Sequence, residues 1–388
     1  MKSIINGKLY VNGKFYNDKV IVFQERITHI YTMDEYEYYK KDNRITEEID
    51  AGNQFIVPGF IDVHIHGYKG VDVMDGEPSS LVQLSEGILE NGVTAYLPTT
   101  MTMPLEKIRA ALDSIEIVMK NSDDMNSKGA MILGAHLEGP FINKKYKGAQ
   151  PENFIIAPDL SLIEDYEQVI KVVTIAPEIK GALPLMDRYK DSINFSIGHS
   201  AASYEEAMEA FGSGAKSVTH LFNAMTGLHH RKPGIVGAAL TCDCYCEIIA
   251  DKFHVHENLF QLLLKSKGLD RILLITDCMQ AGGLSEGKYE LGGLEVTVNN
   301  KQCRLNDGTI AGSVLRLNEG LYNFSESIVE KLEHVIPLVT SNQATYLNVE
   351  EEMGTLEVNK LANIVLINSK IEVSKTIVRG KVVYENQL

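Results

Sequence analysis

The chain has 388 residues, of which 44% are hydrophobic and 23% are charged, as is typical of a globular enzyme with a sizeable core. The formal net charge of −15 argues against a nucleic acid partner, because phosphate backbones are bound by basic surfaces. The sequence contains no run of about 18 apolar residues, so no membrane span is predicted. Residues 1–10 lack the apolar block of a signal peptide, and the five cysteines do not predict a disulfide framework. We therefore expect a cytoplasmic protein.

The two ends of the chain share a β-strand pattern. Short apolar runs near the N-terminus, such as Lys19–Phe23, are accompanied by Asn-Gly pairs at Asn6 and Asn12, which are hairpin signals. Residues 356–384 contain runs of the same kind. Neither end has enough apolar surface to form a core alone. We therefore predict a small β-sandwich domain that combines residues 1–57 and 355–388.

The middle of the chain alternates strand-like and helix-like segments. The predicted strands are residues 55–63, 94–97, 131–137, 171–176, 193–197, 216–220, 247–250 and 271–276. Predicted helices between them include residues 81–90, 105–120, 204–211 and 257–265. This α/β pattern predicts a (β/α)8 TIM-like barrel over residues 58–354. A doubly wound open sheet is the alternative, although no Gly-rich phosphate turn follows the first strand.

Residues 281–307 differ from the rest of the barrel sequence. Five glycines and an alternating run near residues 294–298 interrupt the strand and helix pattern. We interpret this stretch as an insertion after the eighth strand, and we expect it to form a hairpin near the active-site face.

Side chains that bind metals or transfer protons fall where the predicted strands end. They are His64 and His66 on strand one, Glu138 on strand three, His199 on strand five, His220 on strand six and Asp277 on strand eight. The carboxyl ends of all strands meet on one face of a parallel barrel, where active sites are built. We therefore expect these six side chains to converge.

The convergence predicts a metal centre. His64 and His66 alternate in a strand, so both imidazoles lie on the same side of the pleat and can share a cation. Glu138, His199 and His220 predict a three-residue site that leaves a position for water. Imidazole and carboxylate ligands suit Zn, Fe, Mn or Co, and such an ion lowers the pKa of a bound water towards neutrality.

Two other polar residues near these strand ends have different predicted roles. Asp277 is placed to accept the proton of that water and to pass it to a leaving nitrogen. A helix cap is the alternative for Asp277, but residues 278–283 are a poor helix start. His136 alternates with Glu138, and we interpret it as a supporting or packed histidine rather than a ligand.

Five motifs carry a resemblance to a known family. They are VPGFIDVHIHG at 57–67, HLEGPF at 136–141, GHS at 198–200, THLFNAM at 219–225 and DGTIAGS at 307–313. The first motif resembles the opening strand of the amidohydrolase superfamily. The others, in this order and spacing, resemble the N-acetylglucosamine-6-phosphate deacetylases, and the similarity runs nearly end to end.

The resemblance implies a reaction and a set of ligands. The implied reaction is hydrolysis of the acetamide of N-acetyl-D-glucosamine 6-phosphate by metal-activated water, which yields D-glucosamine 6-phosphate and acetate in amino-sugar catabolism and cell-wall recycling. By this resemblance Glu138, His199 and His220 hold the main ion. His64 and His66 resemble the pair that holds a second ion in some members, with Glu138 as the bridge, so the chain has the capacity for one or two ions.

The resemblance also assigns the substrate pocket. Asp277 is implied as the general acid and base, and Arg231 and His254 as the phosphate contacts, with Arg231 reaching across from the neighbouring subunit of a homodimer. The remaining implied contacts are Ala149, Gln150, Asn223, Ala224, Asp251, Ile310, Ala311 and Gly312. Gln150 replaces a histidine of other members; it can hydrogen-bond the carbonyl or a sugar hydroxyl, but it cannot act as a cation.

Two alternatives to this function stay open. One is another metal-dependent amidohydrolase, such as a cyclic amide hydrolase or a deaminase. Many of those use a carboxylated lysine at the end of strand four, whereas here the strand is followed by Pro177 and Glu178. The other alternative is a non-catalytic barrel scaffold. We would expect a scaffold to have lost ligands, whereas all the expected ligands are present in this sequence.

Overall fold

A ring of eight parallel strands forms the centre of the fold in the computed structural model, which describes residues 1–42, 44–122 and 128–386. The strands are β1 (Phe60–Ile65), β2 (Val93–Thr100), β3 (Ala135–Glu138), β4 (Ile170–Ile175), β5 (Asn194–Ile197), β6 (Ala215–Val218), β7 (Tyr245–Ile249) and β8 (Ile272–Ile275). Each strand pairs with the next one. The end of β8 returns to β1, because the Asp277 N–H donates to the His64 carbonyl at 2.9 Å. This ring confirms the predicted barrel and excludes the doubly wound sheet.

A helix follows every barrel strand. In order these helices are Pro78–Gly87, Leu105–Ser122, Leu160–Tyr166, Ala182–Tyr189, Tyr204–Gly212, Gly234–Thr241, Asn258–Lys267 and Leu317–Ile328. The other α-helices are Met33–Asp42, Leu332–Val335 and Ser341–Tyr346. Among the helices of the described residues, none is both long enough and apolar enough to cross a bilayer.

Two of the predicted barrel strands are divided at glycines. The strand predicted at 55–63 breaks at Gly59, because the Gly59 N–H donates to the Asn363 carbonyl at 2.8 Å. A Cβ at Gly59 would lie 2.1 Å from Oγ1 of Thr94, so only glycine fits there. The strand predicted at 131–137 is interrupted at Gly134, whose φ is +148°. The periodicity of the sequence does not reveal either break.

Strands from both termini form two further sheets. One sheet has the order Ile27–Thr32, Lys19–Phe23, Lys2–Ile5 and Glu47–Asp50, and the other has the order Lys381–Glu385, Val373–Val378, Ile364–Ile367, Phe55–Pro58, Lys8–Val11 and Lys14–Tyr16. Buried residues of both sheets, such as Ile21 and Ile364, share one apolar cluster. This packing confirms the predicted small β-sandwich made from both termini, while its exact limits stay a prediction.

The insertion after β8 contains a three-stranded antiparallel sheet. Its strands are Gly287–Leu291, Leu294–Asn299 and Gln302–Arg304. A smaller ribbon pairs Gly67–Tyr68 with Val71–Asp72 directly after β1. Both lie at the carboxyl ends of the barrel strands, so they border the face on which the predicted site residues lie.

The opposite end of the barrel is filled by side chains. Val172 of β4 and Leu273 of β8 belong to one apolar cluster with Tyr346, although these strands lie on opposite sides of the ring. The Tyr346 carbonyl accepts a hydrogen bond from Asn194, the first residue of β5. Tyr346 therefore packs at the amino-terminal end of the barrel, opposite the face on which the strands end.

Candidate active site

The structure brings all six predicted strand-end residues together. His64 lies in β1 and His66 directly follows it, Glu138 ends β3, and His199, His220 and Asp277 each lie two residues beyond β5, β6 and β8. All six residues are buried. They gather because parallel strands of a barrel end on a common face.

Three of these residues have an unusual backbone conformation. The φ angles of His199, His220 and Asp277 are +49°, +31° and +48°, a region that non-glycine residues rarely adopt. Hydrogen bonds hold each turn in place; for example, the Ser313 N–H donates to the Asp277 carbonyl at 2.8 Å. Strain of this kind, about 1–3 kcal/mol per residue, is typical of functional sites, and here it turns the side chains inward.

Glu138, His199 and His220 form a compact donor group. Oε1 of Glu138 lies 3.1 Å from Nε2 of His199 and 3.1 Å from Nε2 of His220, and the two Nε2 atoms are 3.1 Å apart. The Nδ1 of His199 donates to the Tyr146 carbonyl at 3.0 Å, so its Nε2 carries a lone pair. Facing lone pairs repel unless a positive charge lies between them.

The dimensions of this donor group fit a divalent cation. Tetrahedral ligands at about 2.0–2.1 Å from a zinc ion lie roughly 3.3 Å from one another, close to the spacing of these three atoms. Two imidazoles and one carboxylate are also a ligand set that transition metals accept, with a fourth position open. The residues therefore fit the predicted metal site.

A second donor group lies beside the first and shares Glu138. The Nε2 of His66 lies 3.1 Å from Oδ1 of Asp277 and 3.3 Å from Oε2 of Glu138. The Nε2 of His64 is 3.5 Å from Oε1 of Glu138 and 3.5 Å from Oδ1 of Asp277. Because the Nδ1 of His66 donates to the Thr99 carbonyl at 3.0 Å, its Nε2 needs a proton or a cation to face these carboxylates.

The electrostatics of the site favour positive charge. Burial raises the pKa of Asp277, but the hydrogen bond from His66 and the charges of His64 and His66 together outweigh burial and lower that pKa to about 2. The histidines likewise hold the pKa of Glu138 well below its ordinary value, against the effect of burial. Burial lowers the pKa of His66, but Asp277 and Glu138 raise it to about 9. The carboxylates therefore stay ionised and attract protons or cations.

His136 is a buried histidine whose ring lies 4.6 Å from that of His64, measured between centroids. Its Nδ1 donates to the Val63 carbonyl at 3.0 Å, and its Nε2 is 2.7 Å from Oγ1 of Thr174. Burial is the main cause that lowers its pKa to about 4, so the ring is neutral. These contacts are those of a packed supporting residue, which is the role that the sequence favours.

A cavity of about 260 Å³ lies above the donor groups. Seven of the ten predicted substrate contacts line it: Ala149, Gln150, Asn223, Ala224, His254, Ile310 and Gly312. Asp251 does not line the cavity itself but supports a residue of its wall, because its Oδ2 accepts a hydrogen bond from Nδ1 of His254 at 2.6 Å. Ala311 is buried, and its N–H donates to the Cys303 carbonyl. Arg231 does not line the cavity of its own chain; it is exposed on the loop between β6 and the next helix.

Gln150 lines the cavity, but both ends of its side-chain amide already form hydrogen bonds within the protein. Its Nε2 donates to Oε2 of Glu138 at 2.7 Å, and its Oε1 accepts the Thr102 N–H at 2.7 Å. The expectation that Gln150 hydrogen-bonds a substrate therefore rests on the second hydrogen of its amide and on the remaining lone pair of its Oε1.

Sequence reasoning missed several residues of the site. Met101, Gly148, Leu291 and Thr309 also line the cavity. Met101 directly follows β2, so the strand-end rule that identified the ligands could have identified it. Glu247 was also missed: it lies inside β7, and its Oε2 is 3.0 Å from Nδ1 of His64. The available signal was a charge within the apolar run of residues 245–249.

Comparisons with known proteins agree with this geometry. The chain matches the amidohydrolase family model over residues 55–383. It is 39% identical to N-acetylglucosamine-6-phosphate deacetylase of Bacillus subtilis (strain 168), across 87% of this chain and 87% of that relative. It is 37% identical to N-acetylgalactosamine-6-phosphate deacetylase of Escherichia coli O157:H7, across 84% and 87%. The crystal structure of N-acetylglucosamine-6-phosphate deacetylase from Pasteurella multocida aligns with a TM-score of 0.91 and 28% identity, covering 99% of this chain and 100% of that chain.

Proposed function

The chain belongs to the amidohydrolase family, as its motifs predict, and on that premise we propose that it deacetylates N-acetyl-D-glucosamine 6-phosphate. The reaction yields D-glucosamine 6-phosphate and acetate, and it serves amino-sugar catabolism and cell-wall recycling. One observation carries the proposal: residues of both donor groups line a cavity whose walls also contain most of the substrate contacts that the motifs imply.

The residues of the two donor groups would hold the metal and orient the reacting atoms. Glu138, His199 and His220 would hold the principal ion, and His64 and His66, which lie beside Glu138, would hold a second ion. When bound, a Zn, Fe, Mn or Co ion supplies a Lewis acid that polarises the acetamide carbonyl and lowers the pKa of the attacking water.

Asp277 moves the proton. The oxygen of water adds to the acetyl carbon, and Asp277 accepts the proton that water gives up. The bond from that carbon to nitrogen then breaks, and Asp277 donates the proton to the leaving amine. A carboxylate with a pKa of about 2 is fully ionised at neutral pH, so Asp277 begins the reaction in the form that accepts a proton.

His254 and Arg231 bind the phosphate. Burial lowers the pKa of His254, but the hydrogen bond to Asp251 and the charges of Asp251 and Asp277 together outweigh burial and raise that pKa above its ordinary value, which favours the cationic ring. Arg231 extends from the exposed basic segment His229-His230-Arg231-Lys232 and serves the neighbouring subunit of a homodimer. A homodimer accounts for the absence of Arg231 from the cavity of its own chain. Five free cysteines support a location in the reducing cytoplasm.

The alternatives are weaker on specific grounds. In place of a carboxylated lysine after β4, the chain has Glu178, whose carboxylate accepts hydrogen bonds from Ser200 and Ala201 and belongs to neither donor group. A scaffold without activity would have no need to keep strained backbone at His199 and His220. The contacts of Glu178 and the strained backbone therefore favour the deacetylase hypothesis over both alternatives.

Acetate release tests the proposal. Purified protein is incubated with N-acetylglucosamine 6-phosphate, with N-acetylgalactosamine 6-phosphate and with unphosphorylated N-acetylglucosamine. We expect equimolar acetate and glucosamine 6-phosphate, with the phosphorylated sugars preferred by at least about 100-fold. Release of ammonia without acetate would indicate a deaminase. A metal-loaded protein that releases neither product would indicate a scaffold.

A further inference from the structure

Glu247 is a fully buried carboxylate with no place in the mechanism above. Its residue exposure is 0%, and the neighbouring residues of β7 are apolar or aromatic. Its Oε2 lies 3.0 Å from Nδ1 of His64 and 3.3 Å from the N–H of His220. Its Oε1 has no hydrogen-bond partner among the described residues. Burial of a carboxylate with one oxygen that has no hydrogen-bond partner lowers the stability of the fold, so the presence of Glu247 calls for a functional explanation.

The contact with His64 determines which ring nitrogen carries the proton. A carboxylate only accepts hydrogen bonds, so the Nδ1 of His64 is the donor. The neutral ring then has its lone pair on Nε2, the atom that lies 3.5 Å from both Glu138 and Asp277. Carboxylate–histidine pairs of this kind fix the orientation of a ligand and increase its basicity.

The contact with His220 connects the same carboxylate to the other donor group. His220 has a φ of +31°, and its N–H donates to the oxygen that holds His64. Glu138 and Asp277 lie near Nε2 of His64, and Asp62, another buried acid, accepts the backbone N–H of His64 rather than its ring nitrogen. Among the described residues, Glu247 is thus the carboxylate that reaches the Nδ1 of His64.

We propose that Glu247 is a positioning residue for the second ion: it holds the ring of His64 with Nε2 towards Glu138 and Asp277, and its negative charge compensates the added cation. The inference rests on the two ion sites of the proposed function, not on turnover. Without Glu247, the His64 ring loses its acceptor, and the second ion binds more weakly while the first ion stays in place.

Cobalt titration of metal-free protein tests this proposal. Co(II) is added to chelator-treated wild type and to Glu247→Gln and Glu247→Leu variants, and binding is followed by visible absorption and by elemental analysis of the dialysed protein. Wild type should bind two ions. Glu247→Gln keeps an acceptor but loses the charge, so its second ion should bind about 10–100-fold more weakly, and Glu247→Leu should bind one ion. The first ion should bind all three proteins with similar affinity.

A control variant separates positioning from simple loss of stability. Tyr346→Phe removes a buried hydrogen bond to Ser217 of β6, which adjoins the strand of Glu247, and Tyr346 belongs to neither donor group. It should lower the melting temperature yet bind two ions as wild type does. If Glu247→Leu does not fold, Glu247→Gln decides the question.

Two results would overturn the proposal: wild type that binds one ion, or Glu247→Gln with a second ion as tight as that of wild type. Failure of the proposed function would look different. A protein without deacetylase activity that still loses its second ion in Glu247→Gln would refute the reaction and support the role of Glu247.

Discussion

The side-chain amide of Gln150 donates a 2.7 Å hydrogen bond to Oε2 of Glu138, the carboxylate shared by both donor groups. The other end of the amide accepts the N–H of Thr102, so the loop after β2 fixes the carboxylate through Gln150. This bond leaves Oε1 of Glu138 facing His199 and His220. Gln150 therefore belongs to the support of the metal site as well as to the cavity wall.

Replacement of Gln150 should weaken the metal site. Gln150→Leu removes both hydrogen bonds and leaves the Thr102 N–H unpaired, so we expect metal affinity or kcat/KM to fall by about 10–100-fold. Gln150→His is the matched variant, because an imidazole can still donate to Glu138, and it should retain most of the activity. Metal content and kcat/KM of both variants provide the check. Wild-type values in Gln150→Leu would show that the contact has no such role.

Removal of the proton carrier should affect turnover without affecting the principal ion. Asp277→Asn keeps the shape of the side chain but cannot accept a proton, so kcat should fall by about 10²–10⁴-fold. The ion held by Glu138, His199 and His220 should remain, since Asp277 is outside that donor group. Steady-state kinetics with metal analysis measure both effects. A variant with kcat near that of wild type would contradict the assigned role.

Replacement of Arg231 should lower activity with the phosphorylated substrate but not with the unphosphorylated one. A charged hydrogen bond contributes about 1.5–3 kcal/mol, so Arg231→Ala should lower kcat/KM for the sugar phosphate by roughly 10–150-fold. The low rate with the unphosphorylated sugar should not change. Equal losses with both sugars would contradict a phosphate contact.

A mixed dimer tests whether Arg231 acts across the subunit interface. Arg231→Ala and Asp277→Asn chains with different tags are produced together, and the heterodimer is purified. If Arg231 serves the partner, one of the two sites regains both residues, and about half of the wild-type activity should return. A heterodimer as inactive as its parents would place Arg231 in its own chain's site.

Asp72 should make stability depend on pH. Its Oδ1 accepts the Met74 N–H at 2.8 Å, its Oδ2 is buried without a partner among the described residues, and burial raises its pKa to about 6. The folded state therefore binds the proton more tightly than the unfolded state does, so Asp72 lowers stability as pH rises from about 4 to about 6. Asp72→Asn keeps the Oδ1 acceptor and should stabilise the fold above pH 6 by about 1–3 kcal/mol.

Thermal melting at two pH values checks the role of Asp72. The gain in Tm of Asp72→Asn should be larger at pH about 7.5 than at pH about 4. Asp187→Asn is a suitable control, because that carboxylate is exposed, with 67% of its side chain accessible. A gain that is the same at both pH values would mean that the carboxyl does not titrate as described.

Much of the site could be predicted because its residues lie at the ends of strands, and strand ends can be recognised in the sequence. Barrel strands appear as short apolar runs, and the residue that ends each run points to the common face, which is how His199 and His220 were identified from positions 21 residues apart. The order of the strands followed from the same alternation. The small sandwich was recognisable because both ends carry strand patterns without enough apolar residues for a core.

Other features depend on contacts that no local pattern encodes. Gly59 divides a continuous apolar run because the Asn363 carbonyl, from the other end of the chain, binds its N–H. In the sequence, Glu247 looks like the first residue of a strand. Its role can be inferred only when its partner His64 is known to lie beside it. The engagement of Gln150 likewise depends on the loop that contains Thr102.

The position of a metal ion in crystals of the protein grown with zinc tests most directly whether Glu138, His199 and His220 form one metal centre. Anomalous diffraction should place an ion about 2.0–2.2 Å from Oε1 of Glu138 and from the Nε2 atoms of His199 and His220. An anomalous peak elsewhere, or a site in which one of these three residues points away from the ion, would contradict the claim that they form one metal centre.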